Sequence, residues 1–407
     1  MATLKITALP DVLNGSVLLP ASKSISNRVL IIKALQSDIQ VENLSDAEDT
    51  VLLQQALANN DEEIYLGNAG TAMRFLLAYY TIRGAKKTLK GSPQMHERPI
   101  GILVDALHQL GAKINYLEKE NYPPLSLSPS QIHGGEIYID AGISSQYISA
   151  LMLIAPYLPE GLKINWPKEK VSASYIKMTA ALLQYFGASF NMHEDGININ
   201  FATYQGKSIL IESDWSSAAY MYAMVALMPG SDILLKGLGE NSIQGDAAIA
   251  TYLESFGVAS VYLKNEVHIQ SKGIYPEKFY ANLIHTPDLI PTLVCLCVAL
   301  EIPFKIEGIS TLKYKETNRA EALKVELAKL GVSIICTENT MYYEGGAMLC
   351  TKEVILHTYS DHRLVMSFFL LAIKNQNILI DGVAHVNKSF PAFLNTISHL
   401  DFKYLTL

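Results

Sequence analysis

Two cations and three small hydrogen-bonding side chains, Lys23, Ser24, Ser26, Asn27 and Arg28, crowd into "SKSISNR" (22–28), directly ahead of the apolar run "VLIIKAL". On local grounds two readings stay open. Ser24 or Ser26 caps the helix that follows while the cations are solvated, or hydroxyls, backbone N–H groups and two cations converge on a phosphate or carboxylate at the helix entrance. The same composition recurs along the chain. "LGNAGTAMR" (66–74) sets Asn68, Gly70 and Thr71 at a strand-to-helix turn whose small residues permit close backbone approach to a ligand. "ERPIG" (97–101) leaves Arg98 at the mouth of a helix started by Pro99. Ser144, Ser145 and Gln146 precede another apolar helix, where capping is an equal reading.

The second half repeats the theme with more charge. "KETNR" (315–319) puts Lys315, Glu316 and Arg319 at i, i+1 and i+4, one turn of a helix entrance; "SDHR" (360–363) carries Asp361, His362 and Arg363; "NKSFP" (387–391) carries Lys388. Cations where the helix dipole disfavours them point to a bound anion. Asp288, in "HTPDLIPT" (285–292), reads locally as a helix N-cap after Pro287. Arginine is scarce, at 28, 74, 83, 98, 319 and 363 only, so its placement at these entrances suggests planar recognition of carboxylate or phosphate.

Elements must bring these entrances together. Amphipathic helices stopped by Gly111, Gly187, Gly257 and Gly331, each followed by an alternating strand, recur every 70–76 residues. Weaker copies at 49–66 and 392–405 complete six units. Each reads as a βαβαββ-like module, which makes the fold α/β. At 407 residues two domains are expected, and no Pro/Gly/Ser-rich linker separates them, so the connection is short.

Composition narrows the partners. A net charge of −7 gives no footprint for nucleic acid. Cys295, Cys297, Cys336 and Cys350 lack metal-ligand spacing and read as buried free thiols of a reducing, cytoplasmic setting. The N-terminal stretch alternates like a strand without a signal-peptide core, and apolar runs such as "LIPTLVCLCVALEIPF" fall short of the roughly 18 residues of a membrane span.

Taken in order and spacing, "SKSISNR", "LGNAGTAMR", "ERPIG", "SSQ", "KETNR" and "SDHR" resemble the 5-enolpyruvylshikimate-3-phosphate synthase family of enolpyruvyl transferases over almost the whole chain. The resemblance implies a two-domain inside-out α/β barrel, three βαβαββ units per domain, with the chain crossing twice. One domain would hold residues 22–212, the other 1–21 and 213–407, with the active site in the interdomain cleft. It implies transfer of the carboxyvinyl group of phosphoenolpyruvate to the 5-hydroxyl of shikimate 3-phosphate through a tetrahedral intermediate, releasing phosphate. Shikimate 3-phosphate would be held by Lys23, Ser24, Arg28, Ser144, Ser145, Gln146, Ser172 and Tyr175, with Asp288 and Lys315 beside it. Phosphoenolpyruvate would be held by Lys23, Asn68, Gly70, Arg98, Gln146, Arg319, Arg363 and Lys388. Asp288 would take the hydroxyl proton and Glu316 would protonate the vinyl methylene, assisted by Lys23 and Lys315. Small molecules are the expected partners of a cytoplasmic monomer, without nucleic acid, membrane, metal or organic cofactor.

Departures from the family pattern are Asn318 for an Asp, Phe75 for a Pro, and "VSASYIK" (171–177) for "SKPYI". Phe75 is expected to shift the helix behind the phosphoenolpyruvate site. Two alternatives belong beside this reading. UDP-N-acetylglucosamine enolpyruvyl transferases share the fold and chemistry, but carry a Lys–Asn pair in place of "KSISNR" and a loop Cys, whereas all four cysteines here lie beyond residue 290. A non-catalytic phosphometabolite-binding homologue would keep the anion clamps without needing both Asp288 and Glu316.

Overall fold

The structure, a computed structural model, describes residues 2–139, 144–166 and 172–407. Gly142 and Ile143 of the "GISSQ" stretch and Val171 of "VSASYIK" lie outside the described residues. Contacts divide the chain into two compact units, Ser22–Ile211 and Met1–Ala21 with Glu212–Leu407. The chain therefore leaves the second unit after residue 21 and re-enters it at 212.

Within Ser22–Ile211 the repeat is explicit. Strand Glu63–Tyr65, helix Gly70–Ile82, strand Lys87–Lys90, helix Gly101–Gln109 and strands Lys113–Tyr116 and Leu125–Ser128 form one module. The first two strands pair in parallel, Ile64 opposite Leu89, and the last two add as an antiparallel hairpin. Strands Gly135–Tyr138, Leu162–Asn165, Phe190–His193 and Gly196–Ile199 repeat the pattern around helices Ser145–Ile154 and Ala173–Tyr185. The third module departs from the expected βαβαββ: helices Lys23–Leu35 and Glu48–Ala58 accompany only the parallel pair Gln40–Glu42 and Ser208–Leu210. Its hairpin has no room, because residues 59–62 are all that separate helix Glu48–Ala58 from the next module's first strand.

The other unit carries three four-stranded sheets of the same order. Strand Leu4–Ala8 completes the last of them, pairing antiparallel with Ile378–Ile380 and Lys403–Thr406, so the start of the chain finishes its final module. Helices Trp215–Leu227, Ile290–Ala299 and His362–Lys374 pack on one another inside. They are apolar almost all round, as a helix buried on every side must be. The sheets cover them with one face and show the other to solvent, as at Leu18 and Tyr280. Helices thus lie inside and sheets outside, and each sheet remains open with two edges. Phe369 locks the closing module, edge-on to Phe393 and Phe402 at 5.5 and 5.3 Å.

Candidate active site

Helix starts decide which readings of the sequence survive. The helix Lys23–Leu35 is capped by Ser22, whose Oγ accepts from Ile25 N, not by Ser24 or Ser26; Ser26 Oγ instead accepts from Ser45 N at 3.1 Å. That frees Ser24 for its first turn, where its carbonyl accepts from Arg28 Nη1 at 2.7 Å. Ser144 is a cap, accepting from Gln146 N. Ser145 and Ser172 are buried at the starts of helices Ser145–Ile154 and Ala173–Tyr185, Ser172 in the left-handed region with φ of 55°.

Arg28 is buried and fully engaged with neutral acceptors. It donates to Thr179 Oγ1 (2.7 Å), Ser149 Oγ (3.1 Å) and Tyr175 O (3.4 Å) besides Ser24 O, and its guanidinium faces the rings of Phe75 and Tyr175. Among the described residues no carboxylate pairs with it. Burial therefore pushes its pKa down to about 10, only partly opposed by Tyr175. Phe75 packs against this cation, its ring centroid 5.4 Å from the Arg28 guanidinium carbon. Lys23, the next cation, pairs with the buried Asp49, Nζ to Oδ2 at 3.1 Å.

A second cluster in the same unit surrounds Arg98. Arg98 Nη1 donates to Asn68 O at 3.4 Å, and its buried Nε has no hydrogen-bond partner among the described residues. A Cβ at Gly70 would stand 2.6 Å from either terminal nitrogen, so a larger residue there would push the Arg98 guanidinium from its place. The helix after Arg98 begins at Gly101, two residues later than Pro99 suggests. Arg74 ties the cluster, donating to Gly70 O (3.1 Å) and Pro99 O (2.8 Å). Gln146 Nε2 reaches Thr71 Oγ1 at 3.3 Å, joining two helix entrances.

The other unit assembles opposed charges. Asp288 lies inside a short 3-10 turn, Pro287–Leu289, where Thr286 and Leu289 take the N-cap positions of the turn and of the helix that follows, which overturns its local reading as an N-cap. Its carboxylate instead draws three cations: Lys315 Nζ (3.2 Å) and Arg319 Nη1 (2.9 Å) on Oδ1, and Arg363 Nη2 (2.8 Å) on Oδ2. Arg319 is the centre, its Nη2 on Glu316 Oε2 at 2.8 Å and its Nε on Asp361 Oδ2 at 2.8 Å. Burial works against its charge, but Asp361, Glu316 and Asp288 outweigh burial and hold its pKa above the ordinary range. Lys388 closes the network on Glu316 Oε1 at 3.0 Å.

Two placements differ from expectation. The helix begins at Arg319 with Asn318 as its cap, so Lys315 and Glu316 precede it rather than forming its first turn. Lys388 ends a 3-10 segment, Val383–Lys388, and does not stand at an α-helix entrance.

Two acidic members were not anticipated. Asp49 and Asp246 are both buried, as is Asp361 of "SDHR". Asp246 accepts from Ser216 Oγ, which also receives Arg363 Nη2 at 3.4 Å. Burial and the charge of Asp288 push the Asp246 carboxyl up to about 6, against Arg363 and Ser216. A search for cations passes over these residues; the available signal was the Gly–Asp step in "QGDAAIA" (244–250), another polar entrance to a helix.

Chemically, each unit offers a different set of groups. Ser22–Ile211 offers buried cations with neutral or sparse partners, suited to anion binding. The second unit offers carboxylates fixed among cations, suited to proton transfer beside an anion. Among the described residues no His, Cys, Asp and Glu cluster fits a metal, and no helix is long and apolar enough to cross a membrane. Burial pushes the thiols of Cys295 and Cys297 well up, as for inert core residues.

Known proteins bear directly on this arrangement. The family model for EPSP synthase (3-phosphoshikimate 1-carboxyvinyltransferase) matches residues 51–397. A 3-phosphoshikimate 1-carboxyvinyltransferase of Bacteroides fragilis is 39% identical over 400 residues, covering 98% of both chains. That of Haemophilus influenzae is 34% identical over 433 residues, covering 98% of this chain and 99% of its own. The solved EPSP synthase of Acinetobacter baumannii shares the fold with a TM-score of 0.78 at 20% identity, covering all of both chains.

Proposed function

The chain belongs to the EPSP synthase family, and from that premise we propose how its residues divide the family's reaction. The reaction transfers the enolpyruvyl group of phosphoenolpyruvate to the 5-hydroxyl of shikimate 3-phosphate, releasing phosphate, in the shikimate pathway to aromatic amino acids. Shikimate 3-phosphate is assigned to Lys23, Ser24, Arg28, Ser144, Ser145, Gln146, Ser172 and Tyr175. Phosphoenolpyruvate is assigned to Arg98, Arg319, Arg363 and Lys388, with Lys23, Asn68, Gly70 and Gln146.

The observation that carries the chemical assignment is the convergence of Lys315, Arg319 and Arg363 on Asp288. An arriving carboxylate or phosphate competes for those cations and releases Asp288 to act as a base. Asp288 then takes the proton of the 5-hydroxyl, whose oxygen forms a bond to C2 of phosphoenolpyruvate. Glu316 delivers a proton to C3, giving a tetrahedral ketal phosphate. Glu316, now a carboxylate, takes a proton back from the new methyl group as the double bond re-forms, and the C–O bond to phosphate breaks with its electron pair leaving on phosphate, which collects the proton held by Asp288. Lys23 and Lys315 steady the charge that shifts in both steps. The same reading makes the enzyme a cytoplasmic monomer acting on small molecules, supported by its acidic charge and unpaired cysteines.

The test is phosphate release from phosphoenolpyruvate with shikimate 3-phosphate, with UDP-N-acetylglucosamine as the alternative acceptor. Release should require shikimate 3-phosphate and fall at least a hundredfold in Glu316→Gln. Release with the nucleotide sugar alone, or unchanged turnover in the variant, would refute the assignment.

A further inference from the structure

Immediately before Asp361 stand two consecutive residues in the left-handed region, Tyr359 (φ 52°) and Ser360 (φ 58°). Side chains disfavour that conformation, and it persists where surrounding contacts enforce it. The enforcing contacts here lead to a carboxylate that catalysis does not use. Glu326 is completely buried in the helix Arg319–Ala328. It accepts from the Tyr359 phenol (Oε1, 2.7 Å), from His357 N (Oε2, 2.7 Å) and from Lys329 Nζ (Oε2, 2.6 Å). Thr358 is held from the other side, its N–H and hydroxyl donating to Asp381 Oδ1 at 2.7 and 2.9 Å.

One helix therefore grips both ends of the 357–361 turn. Its first residue, Arg319, holds Asp361, and Glu326, two turns further on, holds His357 and Tyr359. Asp361 in turn caps the helix His362–Lys374 through Arg363 N at 2.9 Å. A buried carboxylate is costly unless its oxygens are satisfied, and packing alone would be served by an apolar residue. The Tyr359 phenol, pushed up to about 12 by burial and Glu326, remains a donor throughout the working pH range.

We propose that Glu326 is a positioning residue: through Tyr359 and the His357 backbone it holds the strained turn that sets Asp361, and thereby the two arginines Arg319 and Arg363. This rests on the assignment of those arginines to phosphoenolpyruvate. Loosening the turn weakens that substrate selectively, because nothing in the lock belongs to the Ser22–Ile211 unit.

The experiment uses the full chain with Tyr359→Phe, which removes one hydroxyl, and Glu326→Gln, which keeps the shape but presents an amide to donors. KM for phosphoenolpyruvate, kcat, and calorimetric Kd for shikimate 3-phosphate alone are measured, with Arg363→Lys as control. Both lock variants are expected to raise the phosphoenolpyruvate KM by about five- to fiftyfold, to change kcat less, and to leave the shikimate 3-phosphate Kd within about twofold. The losses in the double variant should be less than additive, since the two single variants share the Tyr359–Glu326 hydrogen bond. If Arg363→Lys raises KM and Tyr359→Phe does not, the lock is overturned. If Arg363→Lys leaves KM unchanged, the phosphoenolpyruvate assignment fails instead. Equal losses of both substrates in Tyr359→Phe would also overturn selective positioning, and this variant decides the matter should Glu326→Gln not fold.

Discussion

The guanidinium of Arg28 lies over the ring of Phe75, 5.4 Å from its centroid, and its hydrogen bonds among the described residues end on uncharged oxygens. A buried cation balanced by dipoles and a π-face retains its appetite for an anion, since among the described residues no carboxylate competes. Phe75→Leu keeps the site apolar but removes the π-face. A loss of about 1 kcal/mol in shikimate 3-phosphate binding, roughly fivefold in Kd, is expected by calorimetry. Arg28→Lys should cost more, about 2–4 kcal/mol, because a single ammonium cannot serve Thr179, Ser149 and the Ser24 carbonyl together. Equal effects of the two changes would contradict this division of roles.

Asp288 presents the reverse case, a carboxylate that occupies cations needed by the substrate. In Asp288→Asn the amide neutralises Lys315, Arg319 and Arg363 less well. Phosphoenolpyruvate binding should hold or tighten while turnover falls by about 10²–10⁴-fold. A parallel loss of binding and turnover would make Asp288 a structural anchor rather than the base.

How much of this was legible in the chain follows from the range over which each feature is decided. Gly111, Gly187, Gly257 and Gly331 all take positive φ at helix ends, a local requirement that only neighbouring residues set, so the repeat could be read directly. The truncated module of helices Lys23–Leu35 and Glu48–Ala58 was not legible: its missing hairpin depends on how closely two modules abut. Cations stood out because arginine is rare. The partners of the carboxylates were not legible, since Asp361 caps a helix as Asp214 does, yet it also meets Arg319, a residue 42 positions away. Asp288 shows the same limit, its cap-like local setting outweighed by partners brought from 315, 319 and 363.

Asn318 tests a family departure at one helix end. Its Oδ1 accepts from Glu321 N at 3.3 Å, so the capping function of the usual aspartate is kept. Asn318→Ala should lose about 1 kcal/mol in denaturant unfolding. Asn318→Asp should stay within about 0.5 kcal/mol of the parent, as Asn and Asp are comparable caps. A large gain for Asp would show that charge beside Arg319, not capping, governs the position.

Asp246 makes the stability of the free protein depend on pH in a stated direction. Its carboxyl rises from 3.8 unfolded to about 6 folded, so between those values the folded state binds the extra proton. Stability from this group increases as pH falls through about 6 toward 4, and above 6 the folded state bears the full cost of a buried, ionised carboxylate beside Asp288. Asp246→Asn removes that cost. The variant should be more stable than the parent by on the order of 2–3 kcal/mol at pH 7.5, with the difference shrinking toward pH 4. Urea midpoints of both proteins between pH 4.5 and 8 measure it. A constant difference across that range would mean Asp246 does not titrate there, whereas a variant less stable at pH 7.5 would show that its pairing with Ser216 and Arg363 outweighs its burial.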